Sequence, residues 1–80
     1  MNNYVYIVRC SDGTFYTGWT NNLEERIKSH NEGKASKYTR AILPVELVYS
    51  EVCESKSLAM KRECEIKKLS RAGKEKLIGI

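Results

Sequence analysis

Tyr6, Tyr16, Arg26 and His30 all fall within the first thirty residues of the chain. A phenol can give or take a proton. An imidazole can relay one near neutral pH, and a guanidinium holds oxyanions through a fixed, always charged fork. Together these groups could move protons beside an oxyanion. Taken singly, each tyrosine reads as a core residue with a satisfied hydroxyl. A half-buried arginine needs an acceptor, either a carboxylate of the chain or a phosphate carried by a substrate. The functional reading therefore depends on whether the fold turns all four side chains to one place.

The elements around them can be read from residue type. Residues 4–9 and 15–20 are aromatic and β-branched runs, as strands prefer, and Asp12-Gly13 between them marks a hairpin. A two-residue loop would put Tyr6 and Tyr16 on opposite faces. A three-residue loop, with Ser11, Asp12 and a left-handed Gly13, pairs Cys10 with Thr14, Tyr6 with Gly18 and Val8 with Tyr16. We favour the longer loop because it gives Gly18 a purpose, leaving room beside the Tyr6 ring. Asn21 with Glu24, or Asn22 with Glu25, then opens a capped helix. Leu23, Arg26, Ile27 and His30 share one stripe of it. The two aliphatics should turn that stripe to the sheet, so Arg26 and His30 border the face that carries both tyrosines.

These residues resemble a known family. Tyr4-Val5-Tyr6, Tyr16-Thr17-Gly18 and Asn22-Leu23 followed by Arg26 and His30 are similar to the GIY-YIG nuclease superfamily, in particular its small stand-alone bacterial members. The likeness continues through residues 34–40, residues 44–49 and Arg62-Glu63 with Ile66-Lys67-Lys68-Leu69, and so covers nearly the whole chain. Two positions depart from the family pattern. Tyr4 stands in place of the name-giving glycine, and Thr17 replaces the central isoleucine of the second tripeptide. Neither change removes a group that does chemistry in the family.

The resemblance implies a fifth residue. On the predicted helix from Ser55 or Ser57 to about Ser70, Leu58, Ala59, Ile66 and Leu69 define a buried stripe with Arg62 at its centre. Glu63 and Glu65 lie near its two edges, so the helical wheel does not choose between them. Read without the family, Glu63 is a surface partner for Lys67. The family places its metal-binding glutamate after a residue like Arg62, which selects Glu63 as the ligand of one Mg²⁺ or Mn²⁺ ion, with waters and substrate phosphate filling the other positions. By the same resemblance Arg26 would neutralise phosphate oxygens. Tyr6 or Tyr16 would take the proton of the attacking water, with His30 orienting or relaying, and the sequence does not say which tyrosine is the base. The implied activity is a metal-dependent endonuclease acting on DNA, selecting by structure or weakly by sequence, as in DNA repair. The alternative is a nucleic-acid-binding or adaptor domain on the same scaffold with little turnover.

Composition sets the bounds. Eighty residues are expected to form one domain. No apolar run approaches the roughly 18 residues of a membrane span, and no signal-peptide pattern precedes the first strand, so a cytoplasmic protein is expected. Cys10, Cys53 and Cys64 are widely spaced and read as reduced structural thiols. The net charge of +4 fits an acidic partner such as nucleic acid. Lys34, Lys37, Tyr38 and Arg40, in a short segment that could form a turn or two of helix, are candidates for phosphate contact and base stacking. Lys67, Lys68, Arg71, Lys74 and Lys76 form a second basic group, equally readable as a solvated face. So small a chain leaves little surface for reading bases, and a protein partner or a second copy could supply specificity. A third strand is expected over residues 45–52. A terminal helix from Ser70-Arg71-Ala72 through Ile78 should cover Val5, Ile7 and Trp19. The expected fold is α+β, a three-stranded, mainly antiparallel sheet flanked by helices, in the order β-β-α-(short α)-β-α-α.

Overall fold

The computed structural model describes residues 2–35 and 42–80. β1 (Asn3–Arg9) and β2 (Phe15–Thr20) form a hairpin, followed by α1 (Leu23–Asn31), β3 (Glu46–Cys53), α2 (Lys56–Lys67) and α3 (Arg71–Ile78). The sheet is antiparallel throughout, in the order β2-β1-β3. This is the expected α+β order. Of the segment read as a short helix, Lys34 and Ala35 are not helical and the remainder lies outside the described residues.

The hairpin has the longer loop. Cys10 N donates to Thr14 O at 2.8 Å and Gly13 N to Cys10 O at 2.9 Å, with Gly13 left-handed at φ 87°. Asp12 fixes the turn by accepting from the Thr14 amide at 3.0 Å and the Thr14 hydroxyl at 2.6 Å. The register follows, with Tyr6 opposite Gly18 and Val8 opposite Tyr16.

β1 is the central strand, so both of its faces are covered and Val5, Tyr6, Ile7 and Val8 are all buried. Val5 and Ile7 pack with Ala59 and Ile66 of α2, joined by Phe15, Trp19, Leu77 and Ile78. Tyr6 and Val8 form the other core with Cys10 and Val45, against Leu23 and Ile27 of α1. Each fully buried aliphatic here contributes roughly 1.5–3 kcal/mol of transfer free energy. Helices thus lie on both faces: α1 over the tyrosines, α2 and α3 over Val5 and Ile7.

Three expectations need correction. β3 runs one residue later than expected at each end, and Leu47 and Val52 are 38% and 65% exposed because β3 is an edge strand. α2 stops at Lys67 rather than near Ser70, since Ser70 instead caps α3 by accepting from Gly73 N at 3.1 Å. Leu58 and Leu69 are not part of the buried stripe, being 48% and 39% exposed. The stripe that meets the sheet runs through Ala59 and Ile66, a spacing of seven residues, which leaves Leu58 on the flank. Leu69 falls beyond the end of the helix.

The terminal helix is tied to the hairpin by Arg71, whose guanidinium lies 4.7 Å from the Phe15 ring centroid and donates to Gly13 O at 2.9 Å. Among the described residues no helix is long and apolar enough to cross a membrane.

Candidate active site

The site is built on a missing side chain. Tyr6 rises from the central strand and crosses its neighbour β2 at Gly18. A Cβ placed on Gly18 would lie 2.5 Å from the Tyr6 hydroxyl oxygen and 2.7 Å from Cζ. Only glycine leaves that passage open. The hydroxyl thereby reaches His30, 2.8 Å from Nε2. His30 lies near the end of α1 and is fully buried. Its ring meets both tyrosines edge-on, with centroids 5.7 Å from Tyr6 and 5.3 Å from Tyr16. α1 is aimed by its cap: Asn22 Oδ1 accepts from Glu25 N at 3.2 Å, and Asn22 N in turn donates to the Thr20 hydroxyl at 3.1 Å. Of the two capping pairs the sequence allows, the fold uses Asn22 with Glu25. Leu23 and Ile27 then press the helix on the tyrosine face.

Burial sets the electrostatics. It pushes the Tyr6 phenol well above its ordinary value. The Tyr16 phenol adds to the rise, the Arg26 charge opposes it, and the Glu63 carboxylate adds a smaller push upward. Burial likewise lowers His30 below the usual imidazole value, and the Arg26 charge lowers it further. Both partners are therefore neutral near pH 7, and a 2.8 Å hydrogen bond joins Tyr6 Oη to His30 Nε2.

Arg26 stands out among the described arginines. Arg9 pairs with Glu46 at 3.5 Å, Arg62 with Glu51 at 3.0 Å, and Arg71 with Glu75 at 3.7 Å. The half-buried Arg26 guanidinium has no acceptor among the described residues. It lines a cavity of about 350 Å³ that Asn21, Asn22, Ser29 and Lys34 also line. This cavity is electropositive on its Arg26 and Lys34 walls, with Glu25 at its rim.

Glu63 comes from α2, on the opposite face of the sheet from α1. Its charge adds a small upward push to the Tyr6 phenol. Glu63 is mostly buried, with 20% of its side chain exposed, and Lys67 Nζ lies 3.6 Å from its Oε1. The surface ion pair readable in the sequence is thus present, but one partner is turned inward. Glu65, the other candidate on the wheel, is spent on Arg62 at 3.4 Å on the far side. The structure therefore separates two glutamates that the helical wheel left equivalent.

No group of three or more His, Cys, Asp or Glu side chains able to hold a metal occurs among the described residues. A single inward carboxylate with an oxygen donor set suits a hard ion that keeps its waters and takes a phosphate oxygen, which is how Mg²⁺ is usually held. The donor chemistry at Glu63 fits that group. Lys37, Tyr38 and Arg40 lie outside the described residues; Lys34 is exposed at the cavity.

Three contacts had no clear signal in the sequence. The Asn31 side chain clasps the backbone of Val45, accepting from its N–H at 2.8 Å and donating to its carbonyl at 3.3 Å. Glu51 takes Arg62 in a fork, a pairing between elements that no spacing rule predicts. Thr17, which replaces an apolar residue of the family tripeptide, buries a hydroxyl with no partner among the described residues.

Comparison with known proteins bears on the family and the fold. Residues 2–76 match the GIY-YIG catalytic domain. The chain is 55% identical to a UPF0213 protein of Natronomonas pharaonis, covering 95% of this chain and 89% of the relative. It is 59% identical to a UPF0213 protein of Clostridium perfringens, covering 95% and 82%. The solution NMR structure of a UPF0213 protein from Bacillus halodurans superposes with a TM-score of 0.62 at 50% identity, covering 98% of this chain and 83% of that one. With a match spanning nearly all its residues and the fold in agreement, the chain belongs to the GIY-YIG catalytic domain family.

Proposed function

We propose that this protein is a metal-dependent endonuclease that hydrolyses phosphodiester bonds of DNA. The observation that carries this reading is the half-buried Arg26 guanidinium, without an acceptor among the described residues, whose charge acts on the Tyr6–His30 couple. A charge left half-buried without an acceptor is costly unless a ligand supplies one, and a phosphate is the ligand that an arginine fork fits best.

In this reading each residue has a role. Arg26 holds the non-bridging oxygens of the scissile phosphate and neutralises the charge that grows there in the transition state. Glu63 is the carboxylate that would hold Mg²⁺ or Mn²⁺, which when bound adds Lewis-acid charge at the phosphate. We assign acceptance of the attacking water's proton to Tyr6, the tyrosine hydrogen-bonded to His30. It need not become a tyrosinate, because its own proton can pass to Nε2 of the neutral His30 at 2.8 Å. The water oxygen bonds to phosphorus, the bond from phosphorus to the sugar oxygen breaks, and solvent protonates the leaving oxygen. Tyr16, packed on His30, keeps the imidazole oriented. Lys34, with Lys37, Tyr38 and Arg40, would bind flanking backbone. Such contacts favour selection by DNA structure over base reading.

One observation favours a second reading. Lys67 neutralises Glu63, as a protein that binds nucleic acid without cutting it could also arrange. The test is cleavage of labelled linear, flap and branched DNAs with Mg²⁺ or Mn²⁺, comparing wild type with Glu63→Gln and Arg26→Ala. Cutting by wild type, with a loss of about 10²-fold or more in each variant, supports the nuclease. Binding without cutting, unchanged in Glu63→Gln, would establish the binding module instead.

A further inference from the structure

A second groove runs along the outer edge of β2, about 380 Å³ in volume, lined by Phe15, Tyr16, Thr17, Lys67 and Lys74. Of the five basic residues from Lys67 to Lys76, only Lys67 and Lys74 line it. Arg71 is engaged by Gly13, Phe15 and Glu75, while Lys68 and Lys76 are exposed and line no part of it. Two features point to a ligand here. The Thr17 side chain is 97% buried by its 3% exposure, lines the groove, and has a hydroxyl without a hydrogen-bond partner among the described residues. The strand edge is also open. Because Cys10 and Thr14 are a hydrogen-bonded pair, ladder alternation makes Tyr6 and Gly18 another, which turns the Thr17 N–H away from β1. Two ammonium groups, a hydroxyl and an outward amide together make a site for an oxyanion.

The groove also joins the candidate active site. Tyr16 lines the groove and packs on His30, and Lys67 is shared between the groove and Glu63. We propose that this groove is a second phosphate subsite, taking a backbone phosphate that flanks the one held by Arg26 on the same nucleic acid. The inference rests on the nucleic-acid reading above and adds the path of the strand: from Lys34 and Arg26, past Tyr6 and Tyr16, to Lys67 and Lys74.

The test is binding of a fluorescein-labelled DNA duplex, without divalent metal, across a range of salt concentrations. Wild type is compared with the double variant Lys67→Gln/Lys74→Gln, with Thr17→Val, and with Lys76→Gln as a control on the same terminal helix. One lost phosphate contact should lower the slope of log affinity against log salt by about 0.9 in the double variant. Lys76→Gln should leave the slope unchanged. Thr17→Val should weaken binding severalfold while thermal stability holds or rises, because it removes a buried hydroxyl that nothing in the fold satisfies. A wild-type slope retained in the double variant overturns the subsite while leaving nucleic-acid binding intact. Equal losses in the double variant and Lys76→Gln overturn it as well, by showing a diffuse charge effect. Absence of salt-dependent binding by wild type removes the nucleic-acid reading itself, and the subsite with it.

Discussion

The two edges of the sheet each carry a tyrosine, a helix residue and charged groups, and they are wired differently. At the β3 edge, Tyr49 donates to Glu51, Glu51 receives Arg62 Nε at 3.0 Å and Nη2 at 3.0 Å, and Arg62 reaches on to Glu65 at 3.4 Å. The Arg62 fork holds the Glu51 carboxyl below its ordinary range, and each charge has its complement within the network. At the β2 edge, the tyrosine and histidine are neutral and buried. The charges around them are less fully matched: Arg26 has no acceptor among the described residues, while Glu63 is paired with an exposed lysine at 3.6 Å. A network that closes on itself holds elements together. One that leaves a half-buried guanidinium without an acceptor is suited to a ligand carrying oxyanions.

Paired arginine variants give the sharpest break of this comparison. Arg26→Ala should lower cleavage by about 10²-fold or more, with unfolding free energy changed by no more than about 0.5 kcal/mol. Arg62→Ala should do the reverse, costing about 1–2 kcal/mol because Glu51 keeps its burial and loses its partner. Urea titrations beside single-turnover assays separate the two; equal stability losses with equal activity losses would erase the distinction. Gly18→Ala comes next. Its Cβ must displace the Tyr6 hydroxyl, so a loss of about 1–3 kcal/mol is expected, together with loss of the Tyr6–His30 hydrogen bond in the imidazole proton spectrum. The corresponding change at the β3 edge, Tyr49→Phe, should cost only about 1 kcal/mol, since Glu51 keeps Arg62.

The smallest effect is in pH. His30 is lowered in the fold, so the unfolded chain takes a proton first, near pH ~6.5. Its contribution is intact above that value and declines as pH falls toward the folded value. Tyr6 is raised, so its contribution is intact below pH ~10 and declines above it. Glu51 is lowered, and its contribution fades only in stronger acid, from about pH 4.3 downward. Denaturant midpoints followed across pH should therefore decline in two acid steps. His30→Gln should remove the step that begins near 6.5 and leave the one below about 4.3.

What the sequence made legible tracks how local the cause is. The hairpin register could be read because Gly13 and Gly18 each answer a steric demand that few other residues meet. The capped start of α1 and the stripe of Leu23, Ile27 and His30 follow from spacing alone. The face of α2 was harder, because Leu58 and Leu69 look buried by composition. Ala59 wins the contact because a small residue lets the helix sit close on Val5 and Ile7. Glu63 was indistinguishable from Glu65 without the family resemblance, since what separates them is the position of α2 against β2, a tertiary fact. The Glu51–Arg62 fork and the orphaned Thr17 hydroxyl have the same character.

The clasp of Asn31 on Val45 has a consequence for how this domain can diversify. With Ser11 N donating to Ile42 O at 3.1 Å, it seals the base of the excursion between α1 and β3 whatever length of chain lies beyond the seal. Doubling a loop costs only about 0.6 kcal/mol once its ends are held. The chain between these ties is therefore where new sequence can be added cheaply while the register of the sheet stays put. A scaffold this small can gain sequence at one connection without refolding the rest.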